Sequence, residues 1–270
     1  MQLSIRHETA YRYTAPLSYT IQQLRLSPRA DAHQRTLSWH ISTSGQRHEF
    51  IDAFGNLSHM LTINGTHNEV RIVAHGVVDV RPLDRGRLAA DKTLSPLVFT
   101  VPTRLTEATP AVADFAMRYL PQGANSNALI TLAEAIRGTV DYRTGATAVT
   151  STAADALDLG QGVCQDYAHL FLACCHVQGI PARYVSGYID PQNTAHAESH
   201  AWVDVWVEES GFSGWVSVDV THAQFAGDSL CRLAIGRDYD SAAPIRGVRH
   251  GGGVESLSVE VDVVPISTVS

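Results

Sequence analysis

Cys164, His200 and Asp219 occur in an order that can do covalent chemistry on a carbonyl. Cys164 lies in Gly162-Val163-Cys164-Gln165-Asp166-Tyr167-Ala168-His169, directly after a glycine turn and at the predicted start of a helix. His200 lies in Ser199-His200-Ala201-Trp202, and Asp219 closes Trp215-Val216-Ser217-Val218-Asp219. A thiol, an imidazole and a carboxylate supply a nucleophile, a general base and a group that orients the base. An unassisted thiol has a pKa of roughly 8.5 and little thiolate at neutral pH. A helix N-terminus favours the anion, and its free amides can also hold a developing oxyanion. His200 shares one face of an alternating strand with Trp202, Asp204 and Trp206, and a strand holds a base rigidly. A carboxylate at Asp219 would accept from the imidazole nitrogen facing away from sulfur, fixing tautomer and orientation. If the three meet, the expectation is an acyl-transfer enzyme.

Other residues invite other chemistry. Cys174 and Cys175 fall mid-helix, where free cysteine is usually a buried, inert hydrophobe. His196 and His200 are four apart, as in the His-Glu-x-x-His zinc motif, but Glu198 comes one place late. Pro191, Asn193 and the strand pattern argue against a helix there, so no metal site is expected. No calcium loop is legible either, and no cofactor is expected. His169 and His222 are expected only behind the reacting groups, and Asp166 as an acid in the first turn of the helix.

These residues need a scaffold. Residues 111–120 read as a helix behind Thr109-Pro110, an N-cap followed by proline at the first helical position. Ser126 is expected to cap a second helix through Leu129, Leu132, Ile136 and Val140. A short helix covers residues 153–157. In the helix opening at Cys164, Tyr167, Leu170, Phe171, Cys174 and Val177 form the apolar face, and Gly179-Ile180-Pro181 ends it. Strands follow at residues 182–189, 200–207, 215–220, around Leu233 and at 257–264. Helices first and strands second give an α+β domain.

The first hundred residues read as β. Short strands are predicted within residues 3–13, 21–26, 36–42, 50–51, 57–63 and 70–80. Ser27-Pro28, Ser44-Gly45, Phe54-Gly55-Asn56 and Asn64-Gly65 are the expected turns. Such spacing suggests a small sandwich-like module. Its histidines (His7, His33, His40, His48, His59, His67 and His75) keep no metal-ligand spacing, so it is expected to recognise or brace rather than react. Residues 81–108, with Pro82, Pro96 and Pro102, read as a linker. The expected division is residues 1–100 and 101–270.

The 270 residues suffice for one large core or two modest ones. A net charge of -7, with the 20 basic residues scattered, points away from nucleic acid. The four cysteines form no Cys-x-x-Cys pair, so reduced thiols and a cytoplasmic location are expected. No signal peptide, membrane span or membrane partner is expected. A peptide or protein substrate is the expected partner, and the oligomeric state stays open.

The three motifs together resemble the transglutaminase-like superfamily, in its bacterial branch of candidate cysteine proteases. The resemblance extends through Val140-Asp141-Tyr142, Gly236-Arg237-Asp238-Tyr239 and Ala243-Pro244-Ile245-Arg246-Gly247. In the N-terminal part it rests on His7-Glu8-Thr9, Tyr11-x-Tyr13, Leu24-Arg25-Leu26-x-Pro28 and Asp52-x-Phe54-Gly55-Asn56, similar to the β-rich domain preceding the core in this branch. It implies a papain-like α+β core with Cys164 as nucleophile, His200 as base and acid, and Asp219 as orienting residue. It also implies that Tyr142, Gln165, Trp202, Arg237, Asp238 and Tyr239 line the substrate cleft. Relatives commonly read Asp-Pro-Thr-Asn where this chain has Asp219-Val220-Thr221-His222, so the loop after the triad differs. Both hydrolysis (protease or amidase) and amine transfer fit such a site, as does a peptide-binding module without chemistry. Hydrolysis is the expectation.

Overall fold

Apolar side chains alternate inward along β1 (Gln2–Leu24), with Leu3, Ile5, Leu17 and Leu24 buried. The computed structural model describes residues 1–88, 94–121, 123–190 and 199–266. The chain continues with β2 (Gln34–Thr43), β3 (Gln46–Ile51) and β4 (Leu57–Val80). Several predicted short strands are thus one long strand. Asn64-Gly65, expected as a turn, lies inside β4, where Gly65 takes a φ of 90°. The β1–β4 register slips beside it, between Leu17 and Tyr19, so both strands bend together without parting.

Then come β5 (Arg87–Leu88), α1 (Pro110–Tyr119), α2 (Ser126–Thr139), β6 (Asp141–Tyr142), α3 (Ala153–Leu159), β7 (Gln161–Gly162) and α4 (Cys164–Val177). They are followed by β8 (Ala182–Ile189), β9 (Ser199–Glu209), β10 (Phe212–Asp219), β11 (Gln224–Phe225), β12 (Leu230–Gly236) and α5 (Tyr239–Ala242). The chain ends in β13 (Ile245–Gly251) and β14 (Glu255–Ile266).

Helix starts follow their caps. Thr109 accepts from Val112 ahead of Pro110, and Thr152 with Asp155 forms a capping box on α3. For α2 the cap is Asn125 and not Ser126: Asn125 Oδ1 accepts from the amides of Asn127 and Ala128. Ser126, at the first helical position, donates its hydroxyl to Glu209 at 2.8 Å. Residues Gln165 to Cys175 of α4 are buried on every side. This is the central helix of the molecule, packed between the other helices and the inner face of the antiparallel sheet β11-β10-β9-β8-β12.

The N-terminal sheet has two halves. One carries β14, β1, β4 and β2; the other carries β13, β1, β4 and β3. Leu24 and Leu61 of the second half share a core with Ile41, Ile72 and Ala74 of the first. The bent sheet therefore folds over its own apolar face, which makes it sandwich-like. The last two strands pair with β1, whereas the expected division at residue 100 grouped them with the core. The physical reason is the length of β1, whose second edge offers unpaired backbone groups that only another strand can satisfy. The predicted linker is also docked: Leu88 pairs with Trp215, and Phe99 is buried edge-on against the Trp215 ring at 5.6 Å.

Side-chain amides fasten the two parts. Asn56, fully buried, donates to the Ile235 carbonyl at 2.8 Å and accepts from the Ile235 amide at 2.9 Å. Gln34 makes the same pair of bonds to Arg232, at 2.9 and 2.7 Å. Both complete the outer edge of β12 as a neighbouring strand would. Below that edge Asp204, fully buried, sits between two buried guanidiniums: Arg183 at 2.9 Å and Arg232 at 3.0 Å. Arg183 also stacks over Trp215 at 4.2 Å.

Candidate active site

Cys164 stands at the first position of α4 because the turn before it is forced. A side chain on Gly162 would meet Asp166 Cβ at 2.7 Å, so only glycine lets the chain enter there. Asp166 Oδ2 accepts from the Val163 amide at 2.8 Å and from the Thr147 hydroxyl at 2.6 Å, tying the loop to the helix. Val163 has no side-chain acceptor to return, so the amides at the helix mouth are left for other partners. β6 and β7 pair Tyr142 with Gly162, and the Tyr142 phenol oxygen accepts from the Cys164 amide and meets its thiol. Burial first, then the neighbouring Cys164, pushes the Tyr142 phenol well above its ordinary value. The thiol itself is half-buried.

His200 arrives on β9 opposite Gly187 of β8. Gly187 cannot carry a Cβ, which would lie 2.1 Å from the Cys231 carbonyl and 2.5 Å from the Trp202 ring. That ring, buried behind His200, stacks on it at 6.1 Å and 26°. His200 Nε2 bonds Asp219 Oδ1 at 2.9 Å, and the ring also hydrogen-bonds the Cys164 side chain. Nε2 is taken by the carboxylate, which leaves Nδ1 for sulfur. Burial alone would lower the His200 pKa. The Asp219 carboxylate outweighs it, with help from Cys164, and raises the pKa to about 10. Asp219 is fully buried at the end of β10; burial would raise its pKa, but the two imidazoles beside it bring it well below the usual carboxylate range.

The second imidazole is His222, whose Nδ1 meets Asp219 Oδ2 at 2.6 Å. His200, Asp219 and His222 present ligand atoms within 4.8 Å of one another. Each carboxylate oxygen already serves one ring, which makes the cluster a hydrogen-bonded relay around Asp219. His222 lies in the loop where this chain departs from the motif of the resemblance, and its ring approaches the carboxylate. The alternative zinc pair involved His196, which with Glu198, Pro191 and Asn193 lies outside the described residues.

The cleft residues implied by resemblance divide. Gln165 and Tyr239 line a cavity of about 270 Å³ that opens on Cys164 and His200. Tyr142 contacts Cys164. Trp202 backs His200 and does not form the wall, because the face it shares with His200 turns into an apolar core with Val185, Trp215 and Ile235. Arg237 and Asp238 do not reach the wall either. Asp238 caps α5, accepting from the Ser241 amide at 2.9 Å, and the Arg237 amide donates to Ser241 Oγ at 2.8 Å. Their work is to aim Tyr239, whose amide donates to His169 Nε2 at 3.1 Å. That bond makes His169 a neutral imidazole protonated on Nδ1, and complete burial lowers its pKa to about 4.

Sequence reasoning missed the opposite wall. His7, Thr9 and Tyr11 of β1 and Leu257 and Val259 of β14 face the same cavity. His7 is buried, with Nδ1 on the Tyr188 hydroxyl at 2.8 Å and Nε2 on Thr9 Oγ1 at 2.9 Å. The signal was present: polar and aromatic residues recur at every second position of β1, on the side where apolar ones belong.

Known proteins place this arrangement. Residues 3–79 match the bacterial transglutaminase-like N-terminal region, and residues 115–220 match the transglutaminase-like superfamily core. The fold and the site thus define a transglutaminase-like core joined to its bacterial N-terminal domain. The core match is thus to the transglutaminase-like superfamily, and the N-terminal match is to the N-terminal region of its bacterial members. An uncharacterized protein of Mycobacterium leprae is 29% identical over 98% of this chain and 99% of its own length. One of Mycobacterium tuberculosis is 29% identical over 97% of this chain and 92% of its own. The solved structure of a candidate cysteine protease from Cytophaga hutchinsonii superposes with a TM-score of 0.79 at 22% identity, covering 99% of this chain and 91% of that one.

Proposed function

We propose that the protein is a thiol-dependent acyl-transfer enzyme whose main outcome is hydrolysis of a carboxamide or peptide bond. One observation carries the reading: His200 is held between Asp219 on one nitrogen and Cys164 on the other. The Cys164 sulfur attacks the carbonyl carbon while its electron pair develops on oxygen. Collapse breaks the C–N bond, His200 gives its proton to the departing amine, and a thioester remains. Water then adds to the thioester with His200 taking its proton, and the C–S bond breaks to return the thiolate and a carboxylic acid. Asp219 keeps the imidazole in the tautomer both steps need. Hydrolysis is favoured over amine transfer because water needs no second binding site. The four free thiols also support a reducing, cytoplasmic setting.

Product masses with and without a lysine-like amine test the direction. Acid products that persist when amine is added support hydrolysis; amine incorporation exceeding acid makes the protein a cross-linking transferase. Loss of a covalent acyl-protein adduct in Cys164→Ala is expected. If binding of a partner rather than any adduct accounted for the protein's role, Cys164→Ala would leave that role intact.

A further inference from the structure

The cavity over Cys164 is closed on one side by the N-terminal sheet, and none of the described residues that line it is Asp, Glu, Lys or Arg. This is unusual for a chain with 17% charged residues and a net charge of -7. Several of its polar members are already engaged: Ser186 donates to the Ala242 carbonyl at 2.7 Å and Gln165 to the Val149 carbonyl at 3.1 Å. His7 spends both ring nitrogens on Tyr188 and Thr9. The Tyr184 ring lies against His169 at 5.3 Å and edge-on to Tyr239 at 6.4 Å. By contrast, Leu257 and Val259 are 55% and 49% exposed, apolar side chains left uncovered at the mouth of the site. They pair with Tyr11 and Thr9 across β1 and β14, so the four form one continuous patch. About 270 Å³ is ample for an aromatic ring, since a cavity of roughly 150 Å³ already takes benzene.

Resting on the acyl-transfer reading above, we propose that the sheet wall formed by Tyr11, Leu257 and Val259 selects the acyl donor. It accepts a carboxamide flanked by an uncharged, apolar or aromatic side chain and rejects acidic and basic ones. A charged group placed against this wall would lose part of its hydration and find no countercharge on the wall itself, which is costly. An apolar one covers the exposed Leu257 and Val259, and that burial is favourable. The N-terminal domain is then a specificity element of the active site and more than a brace.

The test uses one electrophile with three side chains, each on the acyl side of the carbonyl: the chloromethyl ketones of N-acetyl-phenylalanine, N-acetyl-glutamate and N-acetyl-lysine. Saturable alkylation of Cys164 is followed by mass mapping on the full-length protein. The phenylalanine probe should react about tenfold faster or more, at limiting concentration, than either charged probe. Val259→Glu, on an exposed edge strand, should slow the phenylalanine probe and speed the lysine probe. Leu257→Lys should likewise favour the glutamate probe. Equal rates for the three probes in wild type, or ratios unmoved by both variants, would overturn the proposal. Because alkylation needs no turnover, a selective Cys164 that processes no carboxamide would sink the acyl-transfer reading while leaving this wall's selectivity standing.

Discussion

At the scale of single residues, the account turns on Asp219 and the two rings it serves. Asp219→Asn keeps the shape but offers one acceptor oxygen and an unwanted donor. Turnover should fall by about a hundredfold to ten-thousandfold, with the fold retained by circular dichroism. His222→Ala should cost far less, because His200 keeps its own carboxylate oxygen. The pair also shapes stability. His200 has a raised pKa, so its contribution is full below its unfolded value of 6.5 and is lost as pH rises toward about 10. Wild-type Tm should therefore decline between those values, and Asp219→Asn should flatten the decline. That Cys164, His200 and Asp219 come together was legible in the sequence because each stands in a local motif: glycine before cysteine, alternation around His200, a strand ending at Asp219. Trp202 and Asp238 were misplaced because the same motifs hold residues that only support, and spacing does not tell a wall from what backs it.

At the scale of elements, the core sheet is held by groups that look dispensable one at a time. Asp204→Ala would leave the buried Arg183 guanidinium without its carboxylate and Arg232 with Asp31 alone at 3.1 Å. Loss of about 3–5 kcal/mol is expected in urea unfolding. Asn56→Ala removes both bonds to Ile235 and orphans a buried amide and carbonyl on β12. Each orphan is expected to cost about 1–3 kcal/mol, measured the same way. The first four helices were readable to within a residue or two because caps and breakers are local, as at Thr109 and Gly179, whereas the short α5 was not. The strand lengths of β1 and β4 were not. Gly65 reads as a turn in isolation and becomes a bend only because β1 bends opposite it.

At the scale of the whole molecule, the chain closes on itself. β1 begins the fold and waits for β13 and β14, more than two hundred residues later, to cover its edge. Ending the chain at Ala243 should therefore abolish soluble expression, as should removal of residues 1–100, since each leaves long strand edges bare. No local pattern announces such a return, and for that reason the pairing of β13 and β14 with β1 escaped the sequence reading, whereas the alternation in β1 was a local sign of the sheet-side wall. Three buried imidazoles also span the structure. Burial lowers His7, His33 and His169 to about 4. Depressed pKa values of this kind stabilise the fold at neutral pH, and the benefit is lost as pH falls from 6.5 toward 4. Tm should drop steeply across that window, and His7→Gln should make the drop shallower.

The central claim is that His200 activates Cys164. The most direct measurement is the iodoacetamide alkylation rate of Cys164 against pH, by peptide mass mapping, in wild type and His200→Ala. Wild type should label at least about tenfold faster at neutral pH, with the gap closing once an unassisted thiol ionises above roughly pH 8.5. Superimposable profiles would contradict the account, for they would mean that the thiol and the imidazole do not act as a pair.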